Sequence, residues 1–186
     1  MEYVMNFPAD RAELSKLRAG DKLTVSGTIY TARDAAHKRL TELIASGEDL
    51  PLDIRGAAIY YAGPTPEKPG QVIGSCGPTT SGRMDAYAPG LLDCGLAVMI
   101  GKGDRNAAVI DAIVRNGAVY LAAMGGAGAL MGSCVKAARI VCYEDLGCEA
   151  ICELKVENMP LTVVIDSQGN DLYKSGPEAY LKSLED

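Results

Sequence analysis

Four short apolar runs in this chain each exit into a junction of glycine, hydroxyl or basic residues, and a helical pattern follows the junctions. That succession of strand, tight junction and helix constrains the fold more than any other feature, because it builds α/β units rather than an all-α or all-β domain. Residues 22–30 read as the first strand, with Leu23, Val25 and Ile29 on alternating positions. Thr31-Ala32-Arg33-Asp34 has the form of a capping box, a hydroxyl residue followed three later by an acid. The helix it opens runs to about Ala45, with Leu40, Leu43 and Ile44 on one face and Gly47 placed to stop it. A second strand spans 57–62 and ends in Gly63-Pro64, and Val72-Ile73 leads into the loop Gly74-Ser75-Cys76-Gly77-Pro78-Thr79-Thr80-Ser81-Gly82-Arg83. Residues 96–100 form a third strand, followed by Gly101-Lys102-Gly103-Asp104. A helix over 106–115 ends at Asn116-Gly117, and a fourth strand over 118–123 leads into Gly125-Gly126-Ala127-Gly128 and a further helix. Beyond Cys142 the chain turns strand-rich, with strands expected at 151–156 and 161–165 separated by Asn158-Met159-Pro160. Ser167-Gln168-Gly169-Asn170 is a turn leading into Asp171-Leu172-Tyr173, and 176–184 is expected as a terminal helix. No repeat, low-complexity run or linker interrupts the 186 residues, so one α/β domain over 1–186 is expected.

Charge and composition narrow the function. A net charge of −6, from 18 basic and 24 acidic residues, argues against a duplex nucleic-acid binder and a membrane-surface protein, both of which carry a basic face. With no Trp and one Phe, the aromatic platforms that stack bases are scarce. No apolar run approaches the roughly 20 residues that span a bilayer. The opening Met1-Glu2-Tyr3-Val4-Met5-Asn6-Phe7-Pro8 lacks the basic and apolar regions of a signal peptide, so a cytoplasmic location is expected. The six cysteines, Cys76, Cys94, Cys134, Cys142, Cys148 and Cys152, include no C-x-x-C pair. They are expected as reduced thiols, mostly buried, with no metal held by this chain alone.

The chemistry is expected at the strand exits. In open α/β sheets ligands gather outside the carboxyl ends of strands, where helix N-termini offer free N–H groups and the positive end of the dipole. Three of the junctions carry a cation, Arg33, Arg83 and Lys102, and their convergence makes a small cationic pocket suited to a compact anion with more than one carboxylate or phosphate. Nucleotide signatures fail. Five residues separate Gly95 from Gly101-Lys102 where a P-loop has four, and Asn106 and Met131 stand where the dinucleotide fingerprint needs its third glycine. Taken singly, Arg33 reads as a solvated first-turn residue and Lys102 as a loop lysine. The stretch from Gly77 to Arg83 resists that bland reading, because a merely structural turn does not need two glycines, a proline, three hydroxyls and an arginine within seven residues. The lone His37 reads as a packed or hydrogen-bonded support, and the glycines at 125–128 fit close packing and ligand contact equally.

Together these stretches resemble the β subunit, or fused C-terminal domain, of the class I (iron–sulfur) fumarate hydratases. The likeness rests on Gly27-Thr28-Ile29-Tyr30-Thr31-Ala32-Arg33-Asp34-Ala35-Ala36-His37-Lys38-Arg39, residues 77–85, Gly101-Lys102-Gly103, Gly125-Gly126, Asp145-Leu146-Gly147-Cys148-Glu149-Ala150 and the Gly169-Asn170-Asp171 turn, which follow in order over nearly the whole chain. The related L-tartrate dehydratase β subunit shares the architecture, whereas the Thr-Ala-Arg-Asp-Ala-Ala-His form and Ser81-Gly82-Arg83-Met84-Asp85 look more like the fumarase branch. The resemblance implies a three-layer swivelling β/β/α domain packed against an α subunit that holds a [4Fe–4S] cluster by three cysteines. The active site would then be shared, and the assembly a dimer of heterodimers, or a homo-oligomer when the chain is isolated. It further implies that Arg33, Gly77, Pro78, Thr79, Thr80, Arg83 and Lys102 contact a dicarboxylate such as fumarate or malate. Thr79 matches the family's suggested base, Arg83 and Lys102 act in catalysis, and His37 and Asp85 support them. A non-catalytic anion-binding module and a scaffold that merely dimerises are the competing readings.

Overall fold

The computed structural model describes residues 1–185. In chain order the elements are β1 (Glu2–Phe7), α1 (Arg11–Leu14), β2 (Lys22–Thr31), α2 (Asp34–Ser46), β3 (Ala58–Tyr60), α3 (Ala88–Asp93), β4 (Val98–Gly101), α4 (Ala107–Asn116), β5 (Val119–Ala122), α5 (Gly128–Ser133), β6 (Val135–Cys142), β7 (Ile151–Ile165) and α6 (Leu172–Lys182). Short 3-10 turns occupy Ser81–Met84 and Glu144–Glu149. The protein is mixed α/β, with seven strands in one sheet ordered β1-β2-β3-β4-β5-β7-β6. Strands β1 to β5 pair in parallel, and β7 runs antiparallel to β2, β5 and β6. The extra β2–β7 pairing closes β2, β3, β4, β5 and β7 into a hydrogen-bonded ring.

Alternation along the strands sorts side chains into two cores, because successive residues of a strand point to opposite faces. Val25 and Ile29 of β2, Tyr60 of β3, Ile100 of β4, Leu121 of β5 and Leu154 and Leu161 of β7 gather in one cluster across the ring. The intervening Ile59, Met99 and Tyr120 join Leu40 of α2, Leu91 and Leu92 of α3, and Val109 and Ile113 of α4 in the other. Each fully buried aliphatic side chain contributes about 1.5–3 kcal/mol relative to exposure. No helix among the described residues is long and apolar enough to cross a membrane.

Several expected boundaries shift. Residues 151–165 form one strand, not two: Asn158 takes a left-handed φ of 53°, which bends β7 without ending its pairing, and Pro160 still opposes Thr24. Thr31 caps no helix. It lies in β2, where its hydroxyl donates to the Ala150 carbonyl and accepts from the Cys152 N–H, and Arg33 in extended backbone stands at the N-cap of α2. The terminal helix begins at Leu172, with the Asp171 carboxylate accepting the Tyr173 N–H. Strands β1 and β6 have no counterpart among the sequence expectations. The Lys136-Ala137-Ala138-Arg139 stretch of β6 has little strand propensity of its own and is held extended by pairing with β7. All six cysteines are free.

Candidate active site

The parallel registers align the strand exits along one edge. Thr31 opposes Tyr60, Tyr60 opposes Ile100, and Gly101 opposes Ala122. Arg33, Gly63, Lys102 and Gly125 therefore leave β2, β3, β4 and β5 at the same end of the sheet, where the helix-bearing junctions lie. Residues 76–83 are laced across that edge. The Cys76 N–H donates to the Gly128 carbonyl (2.9 Å), Pro78 bridges to Ala62, and the Thr79 N–H donates to the Tyr61 carbonyl (2.7 Å). Thr80 bridges to Lys102, and the Ser81 N–H donates to the Lys102 carbonyl (2.8 Å). The turn that follows brings Arg83 to the start of α2.

There the two arginines share one carboxylate. Arg83 Nε lies 2.8 Å from Asp34 Oδ1, and Arg33 Nε donates to Asp34 Oδ2 at 3.3 Å. Arg33 Nη2 also pairs with Glu149 Oε1 (3.4 Å), while Glu149 Oε2 accepts the Ala35 N–H (3.0 Å) at the opening of α2. Arg33 is mostly covered, its side chain 22 % exposed, whereas that of Arg83 is 51 % exposed. Gly63 makes room for Arg33: a Cβ there would stand 2.9 Å from the Cys148 carbonyl oxygen and 3.0 Å from Arg33 Nη1. Lys102 is half-buried and its stem passes Gly125, where a Cβ would come 3.8 Å from Lys102 Cδ. It lines a groove of about 620 Å³ shared with Met124, Gly125 and Tyr173 but with neither Arg33 nor Arg83. A neighbouring cavity of about 560 Å³, between residues 65–75 and α5, contains none of the expected site residues.

Buried polar groups underlie this edge. Ser81 Oγ accepts the Lys102 N–H at 3.0 Å and lies 2.9 Å from the Tyr120 hydroxyl, which also donates to the Gly103 carbonyl (2.9 Å). His37 is fully buried, and its Nδ1–H donates to the Arg33 carbonyl (3.0 Å), which assigns the Nδ1-protonated tautomer. Burial pushes its pKa down to about 4, so the ring is neutral. It meets the Tyr61 ring edge-on, centroids 5.1 Å apart. Asp85 accepts from Arg105 Nε (2.6 Å) and from the Asn106 N–H (2.7 Å). Burial raises the Tyr61 and Tyr120 hydroxyls well above the ordinary phenol range, so both stay protonated. Chemically, the edge offers two guanidiniums, one ammonium and the Thr79 and Thr80 hydroxyls to a small anion, while the Asp34 and Glu149 carboxylates are already paired to arginine.

Comparison with known proteins decides which family builds this edge. The model of the family described as fumarase C-terminus matches residues 2–176. This chain belongs to that family. Among the relatives of the fumarase C-terminus chain, the anaerobic class I fumarate hydratase of Escherichia coli K12 is 41 % identical over 165 residues, 88 % of this chain and 30 % of that protein. Fumarate hydratase 2 of Leishmania major is 37 % identical over a similar span, 29 % of its length. A Methanocaldococcus jannaschii protein provisionally named L(+)-tartrate dehydratase subunit beta is 39 % identical over 180 residues, 94 % of this chain and 92 % of its own. The chain thus spans 28–34 % of the fumarate hydratases it matches and nearly all of the tartrate dehydratase subunit.

The structure brings Arg33, Arg83, Thr79, Thr80 and Lys102 to one edge of the fold, with Gly77 so close to Gly128 that a Cβ on it would stand 3.4 Å from Gly128 Cα, and with Pro78 buried. Of the glycines at 125–128, Gly128 serves close packing, since a Cβ there would meet Ser75 Oγ at 2.3 Å. Sequence reasoning missed Asp34 as the bridge between arginines, Glu149, Ser81 and above all Arg105. Arg105 lies three residues past Lys102 in the same junction, but no local pattern marks it as enclosed rather than solvated. The capping-box pattern at 31–34 hides the bridging role of Asp34.

Proposed function

We propose that this chain is the β subunit of a class I fumarate hydratase, which hydrates fumarate reversibly to (S)-malate at a site shared with a cluster-bearing α subunit. The observation that carries the reading is the Arg33–Asp34–Arg83 bridge at the end of the sheet where Lys102 also emerges, in a chain of the fumarase C-terminus family. A dicarboxylate meets the exposed edge of Arg83 through two parallel charge-assisted hydrogen bonds, with Arg33 and Lys102 adding positive field toward its other end. Holding the diacid in one orientation supplies several kcal/mol of barrier reduction. Thr79, fixed by its backbone bond to Tyr61, presents a hydroxyl to the carbon that gains or loses the proton, and needs an acceptor from the partner because a free hydroxyl is a weak base.

A [4Fe–4S] cluster does not fit this chain. Among the described residues no three His, Cys, Asp or Glu side chains gather as metal ligands, and Cys76 and Cys134 lie in the core. In this reading the cluster belongs to the partner, and Arg33, Gly77, Pro78, Thr79, Thr80, Arg83 and Lys102 complete the substrate pocket over it, supported by His37 and Asp85. The two cores and the ring of strands support a single three-layer β/β/α domain of the swivelling type over 1–186.

Anaerobic co-expression with a three-cysteine α partner, followed by fumarate-hydration assays of each subunit alone and of the mixture, tests the proposal. Activity is expected only in the mixture, and Arg83→Ala should lower its kcat/KM at least a hundredfold with association intact. Turnover by this chain in isolation, free of iron, overturns the shared site. The near full-length match to the tartrate dehydratase subunit favours one second reading, in which L-tartrate is the substrate. A higher kcat/KM for L-tartrate than for malate on the same complex selects it.

A further inference from the structure

The junction after β4 carries a second cation, the buried Arg105. The Arg105 side chain is 0 % exposed, an expensive place for a charge, and its Nη2 is buried without a hydrogen-bond partner. Its Nε donates to Asp85 Oδ1 at 2.6 Å, its Nη1 approaches Met99 Sδ at 3.4 Å, and its guanidinium lies over the rings of Tyr61 and Tyr120, 5.4 and 5.0 Å from their centroids. The other oxygen of Asp85 takes the Asn106 N–H at 2.7 Å, so this carboxylate ties the turn after Arg83 to the loop after Lys102 twice. On the near side of Arg83 a second buried tie joins the same two segments: Ser81 N–H to the Lys102 carbonyl (2.8 Å) and Lys102 N–H to Ser81 Oγ (3.0 Å). Arg83 thus rides on a short turn pinned at both ends to the segment that bears Lys102.

We propose that Arg105 is a positioning residue, which sets the separation of Arg83 from Lys102 and through it the length of diacid the site accepts. The inference rests on the dicarboxylate reading above. Two-point recognition of a diacid depends on a fixed distance between the groups that hold its ends, and only a planar guanidinium fills the place between the two tyrosine rings while presenting Nε to Asp85. A lysine there keeps the charge and loses both the fork and the stacking.

The assembled complex is tested with succinate, glutarate and butyrate as competitive ligands of one, or no, matching second carboxylate. Wild type is expected to prefer succinate over both. Arg105→Lys, and Arg105→Met combined with Asp85→Leu to replace the buried pair by apolar groups of similar volume, are compared with it. Both variants are expected to lose at least tenfold of the succinate preference, and the double variant to do so while melting no lower than wild type. Losses of that kind in the ratio separate positioning from a general weakening of the fold, which lowers all three affinities alike. A succinate preference within threefold of wild type in whichever variant folds overturns the role of Arg105. A wild-type complex that binds no dicarboxylate removes the underlying reading instead, and the inference with it.

Discussion

His37 shows how a single buried side chain carries a pH dependence. Its ring is neutral in the folded protein, with a pKa pushed to about 4 by burial from an ordinary 6.5. As pH falls below about 6.5 the unfolded chain takes up the proton first, so stability declines between there and about 4 and is fully present only above that window. The size is about 3 kcal/mol, at about 1.4 kcal/mol per pKa unit. Asp53, held down to about 2 by its Arg55 partner, titrates below this window. Urea unfolding from pH 4 to 7 should show the decline in wild type and a nearly flat profile in His37→Gln. At this scale the sequence was partly legible. A single histidine four residues after an arginine reads as a support, and the structure makes it a donor to the Arg33 carbonyl. Arg105 was not legible, because nothing in a string of residues distinguishes a solvated loop arginine from one enclosed by Tyr61, Tyr120 and Asp85, which lie 15 to 44 positions away.

At the scale of elements, the β4 exit is as tightly fitted as any part of the core. Gly101 admits the Ser81 hydroxyl: a Cβ there would lie 2.0 Å from Ser81 Oγ and 3.0 Å from the Tyr61 ring. Gly101→Ala forces Ser81 off its bonds to Lys102 and Tyr120, and combined overpacking and lost buried hydrogen bonds cost about 2–4 kcal/mol. Thermal unfolding should register that loss, accompanied by weaker dicarboxylate binding as the turn bearing Arg83 loosens. Helices α2 and α4 were readable to within a residue or two, since Gly47 and Gly117 take left-handed φ of 72° and 59° where the chain must leave each helix. The Thr31–Asp34 capping box was not realised, because pairing of β2 with β7 claims the Thr31 hydroxyl and leaves Asp34 free to bridge two arginines.

For the whole molecule, ring closure ranks the strands by protection. β2 is paired along its length with β7 on one side and with β1 and β3 on the other, while β6 stands at the end of the sheet order with Lys136 to Ile140 exposed. Amide hydrogen exchange should accordingly be slowest in residues 22–31 and orders of magnitude faster at alternate amides of 136–140, where the outer groups have no strand beside them. Equal protection in the two strands contradicts the closed ring. What the sequence determined by itself was local. The period of apolar residues identified β2 to β5, the glycines marked where α2 and α4 end, and the crowded Gly77–Arg83 stretch stood out as more than a structural turn, because each of these depends on neighbours along the chain. Tertiary structure alone decided the rest. Joining β2 to β7, uniting Arg33 and Arg83 on one carboxylate, and burying Arg105 against Asp85, Tyr61 and Tyr120 all depend on contacts between distant segments, whose energies exist only once the two cores have formed.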